Sequence, residues 1–219
     1  MINKIALVIG ATGLIGRHLV DELIASTCFT HVIALTRRPL LIDSAKFENH
    51  LVNFECLEDF ADLFTADAVS THVLFSCLGT TKKQAGSIEA QRRVDLNYQY
   101  NTASIGRQQG ISEYFLVSSS GANAKSSSSY LKMKGELEEK VLALDFPRCA
   151  IFRPSLLLGK RTESRIGEDF AAKVMPLLQY IPILKTYRPI TAEQVAIKMA
   201  AIAEIERQGS ESYTLDQIF

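Results

Sequence analysis

Five consecutive apolar residues, Ile5-Ala6-Leu7-Val8-Ile9, run straight into Gly10-Ala11-Thr12-Gly13-Leu14-Ile15-Gly16, and no other stretch constrains this chain so tightly. A β-branched apolar run closed by glycine reads as a strand buried on both faces of a parallel sheet. Leu14, Ile15, Leu19, Val20, Leu23 and Ile24 then recur at helical spacing. A string of spaced glycines is weak by itself, because glycine also merely turns chains. Set between a buried strand and an amphipathic helix it is strong. Gly10 permits the tight turn, Gly13 lets backbone amides approach an anion, and Gly16 lets the helix close on the strand. The helix start then offers unpaired N–H donors and partial positive charge, so the expected ligand is a pyrophosphate.

The same alternation continues. Val32 to Leu35, Val52 to Phe54, Val73 to Phe75, Tyr114 to Val117 and Cys149 to Phe152 read as strands. Between them fall a long helical pattern from Ser87 to Gln109, ended by Gly110, and a second from Tyr130 to Leu144. On the latter, Glu136, Glu138, Glu139 and Lys140 mark an expected solvated face. Such repetition predicts an α/β fold, a Rossmann-type doubly wound parallel sheet in a single domain. Residues 155–219 change character: a polar loop from Lys160 to Gly167 precedes a segment with Pro176, Pro182 and Pro189. Thr191 offers an N-cap to a following helix, and Tyr213 to Leu215 suits a short last strand. This tail is too short for a second domain and is expected to cover the cleft.

Composition narrows the partners. Lys plus Arg equals Asp plus Glu at 24 each, so no net field draws nucleic acid or an anionic membrane. The four cysteines, Cys28, Cys56, Cys77 and Cys149, form no paired motif, and the four histidines lack metal-ligand spacing. Neither a metal nor a disulfide framework is expected. The apolar run at the start is too short for a signal-peptide core or a membrane span, and a cytoplasmic location follows by default.

Two further constellations carry chemistry. The second strand ends Ala34-Leu35-Thr36-Arg37-Arg38-Pro39, without the Asp or Glu that would accept from the ribose hydroxyls of NAD. Two guanidiniums there suit a 2′-phosphate, which points to NADP(H). Tyr130 and Lys134 stand one helical turn apart, and an ammonium beside a phenol lowers its pKa from about 10 towards neutrality. Ser118-Ser119-Ser120 ends the Tyr114 strand at its carboxyl tip, where open α/β sheets bind ligands, and one hydroxyl there could hold a substrate carbonyl. Tyr and Lys at this spacing are common as a surface pair; the Ser-tipped strand upstream gives them weight.

The glycine turn, the serines and Tyr130 to Lys134 resemble those of the short-chain dehydrogenase/reductase superfamily, in its atypical branch. A closer similarity, to the Tat-interacting-protein (oxidoreductase-homologue) group and its bacterial relatives, lies in Cys77 to Lys82, Val94-Asp95, Tyr130 to Glu136, Phe152 to Pro154, Glu163 to Arg165 and Gly167-Glu168. The resemblance implies NADPH contacts from Thr12, Gly13, Leu14, Ile15, Arg37, Arg38, Gly79, Thr80, Tyr130, Lys134, Leu157 and Arg165. It implies catalysis by Tyr130, Lys134 and a serine, with Ser119 the best match and Ser120 second. Asp95 stands where the superfamily often carries an Asn of the proton relay. The expected activity is hydride transfer between NADPH and a small carbonyl or alcohol substrate. The alternatives are a redox-sensing regulator that reports NADPH to a protein partner without turnover, and a nucleotide-sugar epimerase, for which the C-terminal segment looks too short. Oligomeric state is left open.

Overall fold

The computed structural model describes residues 3–65, 70–155, 157–158 and 190–218. The first apolar run forms β1 (Lys4–Ile9), and the glycine turn leads into α1 (Leu14–Ala25). There follow β2 (Phe29–Thr36), β3 (Phe47–Leu51) and, after a 3-10 segment, β4 (Thr71–Ser76). Two short helices, α2 (Lys82–Ala85) and α3 (Ile88–Arg92), run through a π turn (Arg93–Asn97) into α4 (Tyr98–Gln108). Then come β5 (Glu113–Val117), α5 (Ser129–Leu142), β6 (Arg148–Arg153), the short pair β7 (Leu157–Leu158) and β8 (Ile190–Thr191), α6 (Ala192–Glu204) and β9 (Gly209–Thr214).

Seven strands form one sheet in the order β3-β2-β1-β4-β5-β6-β9, every neighbouring pair parallel. The order reverses between β1 and β4, which leaves a crevice at their carboxyl ends. Ala6 and Val8 join Leu19, Leu23, Val195 and Met199 of α1 and α6 in one core. Leu7 and Ile9 join Ala103, Ile105, Leu137 and Val141 of α4 and α5 in the other. Both faces are thus covered, as the continuous apolar runs require. The expected doubly wound sheet is present.

Four local expectations are corrected. Val52 to Phe54 is not a strand. The third strand is Phe47–Leu51, a polar edge segment, while Val52 and Phe54 tuck beneath it at 6% and 4% exposure. The long helix over 87–109 is interrupted by the π turn, although it ends as expected: Gly110 N–H donates to the Arg107 carbonyl and Ile111 N–H to that of Gly106. Glu138 does not face solvent. It is 4% exposed and takes two bonds from the Arg153 guanidinium, at 3.0 and 2.5 Å, while Glu136 pairs with Arg92 at 2.6 Å. The final strand is longer than Tyr213 to Leu215 and runs parallel to β6 over Gly209–Thr214. Thr191 caps α6 in a capping box with Gln194. Most of the expected C-terminal cover, with Arg165, lies outside the described residues.

At the amino-terminal edge of the sheet a charged cluster is sealed in. Lys4 Nζ donates to Glu113 at 2.8 Å and to the Ala203 carbonyl at 2.7 Å. Arg148 lies 5.0 Å over the Phe115 ring and donates to Glu113, Glu211 and the carbonyls of Ile202 and Ile205. These carbonyls end α6, where unpaired acceptors and the helix dipole favour cations. The cluster ties β1, β5, β6, β9 and α6 together at the end remote from the crevice.

Candidate active site

At the crevice, Gly10 turns with φ +80°, and a Cβ on it would lie 2.4 Å from the Cys77 carbonyl carbon. A Cβ on Gly16 would lie 2.2 Å from the Gly10 oxygen. Only glycine lets β1, the β4 tip and α1 meet this closely. Gly13 is the N-cap of α1 and supplies no capping side chain, so the amides of Leu14, Ile15 and Gly16 keep their donors for a ligand.

The turn opens into a cleft of about 380 Å³. Gly10, Thr12 and Gly13 line one side, Gly79 and Thr80 another, and Arg37 and Arg38 the far end. These residues were singled out in the sequence for one ligand, and the fold brings them to one cavity. The cradle fits a dinucleotide: amides without side chains for a pyrophosphate, two exposed guanidiniums beyond them, and, among its described lining residues, no carboxylate. Phe54, Gln84, Val94 and Cys77 also line it and were missed. Phe54 stacks on Tyr98, ring centroids 5.6 Å apart. Tyr98 in turn donates to Glu55, which pairs with Arg93. Burial pushes the Cys77 thiol up to about 12, so it stays neutral near pH 7 and is no nucleophile.

Leu14, Ile15 and Gly16 lie in the first turn of α1 rather than on the cleft wall, with Ile15 and Gly16 buried. Leu157 pairs with Ile190 in the β7–β8 ladder. Tyr130 and Lys134 occupy the first two turns of α5, and their surroundings differ sharply. Tyr130 is 38% exposed, whereas Lys134 is 2% exposed. Lys134 Nζ donates to the Val117 carbonyl at 3.2 Å and sits 3.9 Å from Asp95 Oδ1. Burial lowers its pKa from the ordinary lysine value, and Asp95 opposes that fall. Asp95, fully buried on the π turn, also accepts the Thr80 N–H at 3.2 Å, which joins the lysine to the cleft rim.

The three serines lie at the β5 tip. Ser118 is 3% exposed and its Oγ has no hydrogen-bond partner among the described residues. Ser119 Oγ donates to the Ser120 carbonyl at 3.4 Å, and both are half-buried.

Residues 6–178 match the NAD dependent epimerase/dehydratase family. The chain belongs to that family. Its relatives include Protein FMP52-1, mitochondrial, of Scheffersomyces stipitis, 34% identical over 208 residues that cover 94% of this chain and 91% of that protein. Protein HTATIP2 of Rattus norvegicus is 38% identical over 176 residues, 79% of this chain and 71% of the other. Among solved structures, MoeE5 in complex with UDP-glucuronic acid and NAD superposes with a TM-score of 0.70 at 18% identity, over 96% of this chain and 75% of that one. A short chain dehydrogenase from Burkholderia cenocepacia J2315 in complex with NADP gives 0.68 at 14% identity, over 96% and 88%. At such identities the structures bear on fold alone, and one neighbour carries NAD while another carries NADP. The expected resemblance to the short-chain dehydrogenase/reductase superfamily and its Tat-interacting-protein group is thus shown, and the family's description as NAD dependent points to a nicotinamide dinucleotide as the cofactor class. The default cytoplasmic location does not stand, because fungal relatives are named as mitochondrial proteins. Among the described residues, no helix is long and apolar enough to cross a membrane.

Proposed function

We propose that this protein is an NADPH-dependent oxidoreductase that moves a hydride between the nicotinamide and a small carbonyl or alcohol substrate. The observation that carries the cofactor preference is the pair Arg37 and Arg38 at the cleft end, just beyond the carboxyl tip of β2, among described lining residues that include no Asp or Glu. A 2′-phosphate would gain charge-assisted, bidentate bonds there, while a ribose without it would find no carboxylate to accept from its hydroxyls.

The bound nicotinamide supplies the hydride, and the chain supplies position and protons. Tyr130, the exposed member of the pair, gives a proton to the developing alkoxide or takes one from an alcohol. Lys134 would hydrogen-bond the nicotinamide ribose and favour the ionised form of the phenol through its charge. A serine of the β5 tip, with Ser119 the sequence-favoured choice, holds the substrate oxygen. Gly79 and the helix start hold the dinucleotide. The Thr80 amide already serves Asp95, so Thr80 would contribute through its other atoms.

A regulator that binds NADPH without turnover is the second reading, favoured by the kinship with a protein named for Tat interaction and by the fact that fold does not fix function. It would also call for a protein partner. The purified chain mixed with NADPH and a panel of aldehydes, ketones and quinones distinguishes the two by the nicotinamide absorbance. Loss of absorbance with one class supports the oxidoreductase. Saturable NADPH binding with no oxidation across the panel selects the regulator, and equal affinity for NADH removes the cofactor preference.

A further inference from the structure

The π turn between α3 and α4 is an unusual insertion in an otherwise helical stretch, and its first three residues serve three different neighbours. Arg93 reaches Glu55, Val94 lines the cleft, and Asp95 turns inward to full burial. π turns of this kind recur at functional sites because the widened turn re-aims side chains that a regular helix would stack elsewhere. We propose that Asp95 is a positioning residue: its buried carboxylate, anchored by the Thr80 N–H, holds the Lys134 side chain at the base of the site and keeps it charged.

The geometry gives Lys134 few other sources of charge. Among the described residues, the groups that act on its charge are Asp95 from the π turn, Cys77 from the end of β4, and Glu138 one turn along α5. Cys77 is held as a neutral thiol by burial. Glu138 is committed to the Arg153 guanidinium of β6 through two hydrogen bonds. The Val117 carbonyl of β5 accepts from Lys134 but is neutral. A buried ammonium without a facing anion would shed its proton rather than stay charged, because desolvation penalises the ion. Asp95 is therefore the group on which the charge of Lys134 depends. An asparagine at this place could still accept from Thr80, but would bring no charge.

The consequence for proton transfer rests on the oxidoreductase reading; the charge state of Lys134 does not, and it can be read without cofactor or turnover. The chain is labelled with 13Cε-lysine, the Lys134 resonance is assigned by its loss in Lys134→Met, and the protein is titrated by NMR. Asp95→Asn should lower the Lys134 midpoint by about one pH unit or more, a roughly tenfold change in proton affinity. Asp95→Glu should restore it, and Glu138→Gln should leave it within a few tenths. An unmoved midpoint in Asp95→Asn, or an equal fall in Glu138→Gln, overturns the proposal. Should Asp95→Asn fold too poorly to titrate, its melting temperature is compared with that of Asp95→Asn/Lys134→Met. Recovery in the double variant supports the ion pair, and no recovery overturns it. Where turnover is measurable, the alkaline limb of kcat should move to lower pH in Asp95→Asn; a wild-type protein without turnover would remove the oxidoreductase reading and leave the midpoint test intact.

Discussion

Arg148 and Glu113 face each other from neighbouring strands, Nη1 to Oε2 at 3.1 Å, with the arginine side chain 1% and the glutamate side chain 11% exposed. Removing one partner of such a pair leaves the other as an uncompensated buried ion. Arg148→Ala should therefore cost about 3–5 kcal/mol, because Glu113 is left with Lys4 alone, Glu211 loses its buried donor and the carbonyls of Ile202 and Ile205 lose theirs. Urea unfolding followed by circular dichroism checks this, with the slope m unchanged. A loss under 1 kcal/mol would mean that the cluster is dispensable.

Glu211 gives the same cluster a pH dependence. Burial acts to raise its pKa, but hydrogen bonds from Tyr213 and Arg148, with the charges of Arg148 and Arg207, bring it below the ordinary 4.5. A carboxyl depressed in the folded state stabilises above its unfolded pKa, and that contribution is lost as pH falls through the folded value. The melting-temperature gap between wild type and Glu211→Gln should be full at pH 7 and shrink below about pH 4.5. A gap that stayed constant down to pH 3 would contradict this.

At Gly135 the backbone of the 118–128 loop rests directly on α5. A Cβ there would lie 2.1 Å from the Ala124 nitrogen. Gly135→Ala must push that loop away, at a cost of about 1–3 kcal/mol. Trypsin cleavage after Lys125, an exposed residue of the loop, should accelerate in the variant relative to wild type.

Arg37→Ser/Arg38→Ser should weaken NADPH binding at least about tenfold, since charge-assisted bonds contribute about 1.5–3 kcal/mol each. NADH affinity should change little. Isothermal titration with both nucleotides reads the difference, and a parallel loss for both would assign the arginines to the pyrophosphate instead.

Tyr130→Phe should keep NADPH affinity while turnover falls by about two orders of magnitude, the usual contribution of a positioned proton donor. Stopped-flow absorbance of the nicotinamide measures it, and undiminished turnover would take Tyr130 out of the reaction.

Local pattern carried the fold as far as the local pattern held the physics. The β1 run, the glycine turn and α1 were legible because burial on both faces and a ligand-facing turn each leave a mark within a few residues. So was the arginine-bearing end of β2, which lines the cleft. Edge strands were not: Phe47–Leu51 and Gly209–Thr214 are polar, because an edge position with one exposed side demands few apolar residues. The apolar Val52 and Phe54 beside the first misdirected the reading, since a residue tucked under an edge looks like one inside a strand. Glu138 read as solvated because its partner, Arg153, lies outside the helix, at the end of β6. The π turn left no trace in the periodicity, so the inward turn of Asp95 was invisible even though its identity was noticed. Phe54 and Val94 entered the cleft by tertiary placement alone.

The seventh strand has a consequence for how the protein is made. β9 completes the edge beside β6 with the register Arg148 to Gly209, and its partner strand has been synthesised long before it. Until that segment leaves the ribosome, β6 shows an open row of amides and carbonyls, and the Arg148 guanidinium waits for one of its carboxylates. A nascent chain stalled in this interval would be the form most exposed to mispairing and most in need of a chaperone.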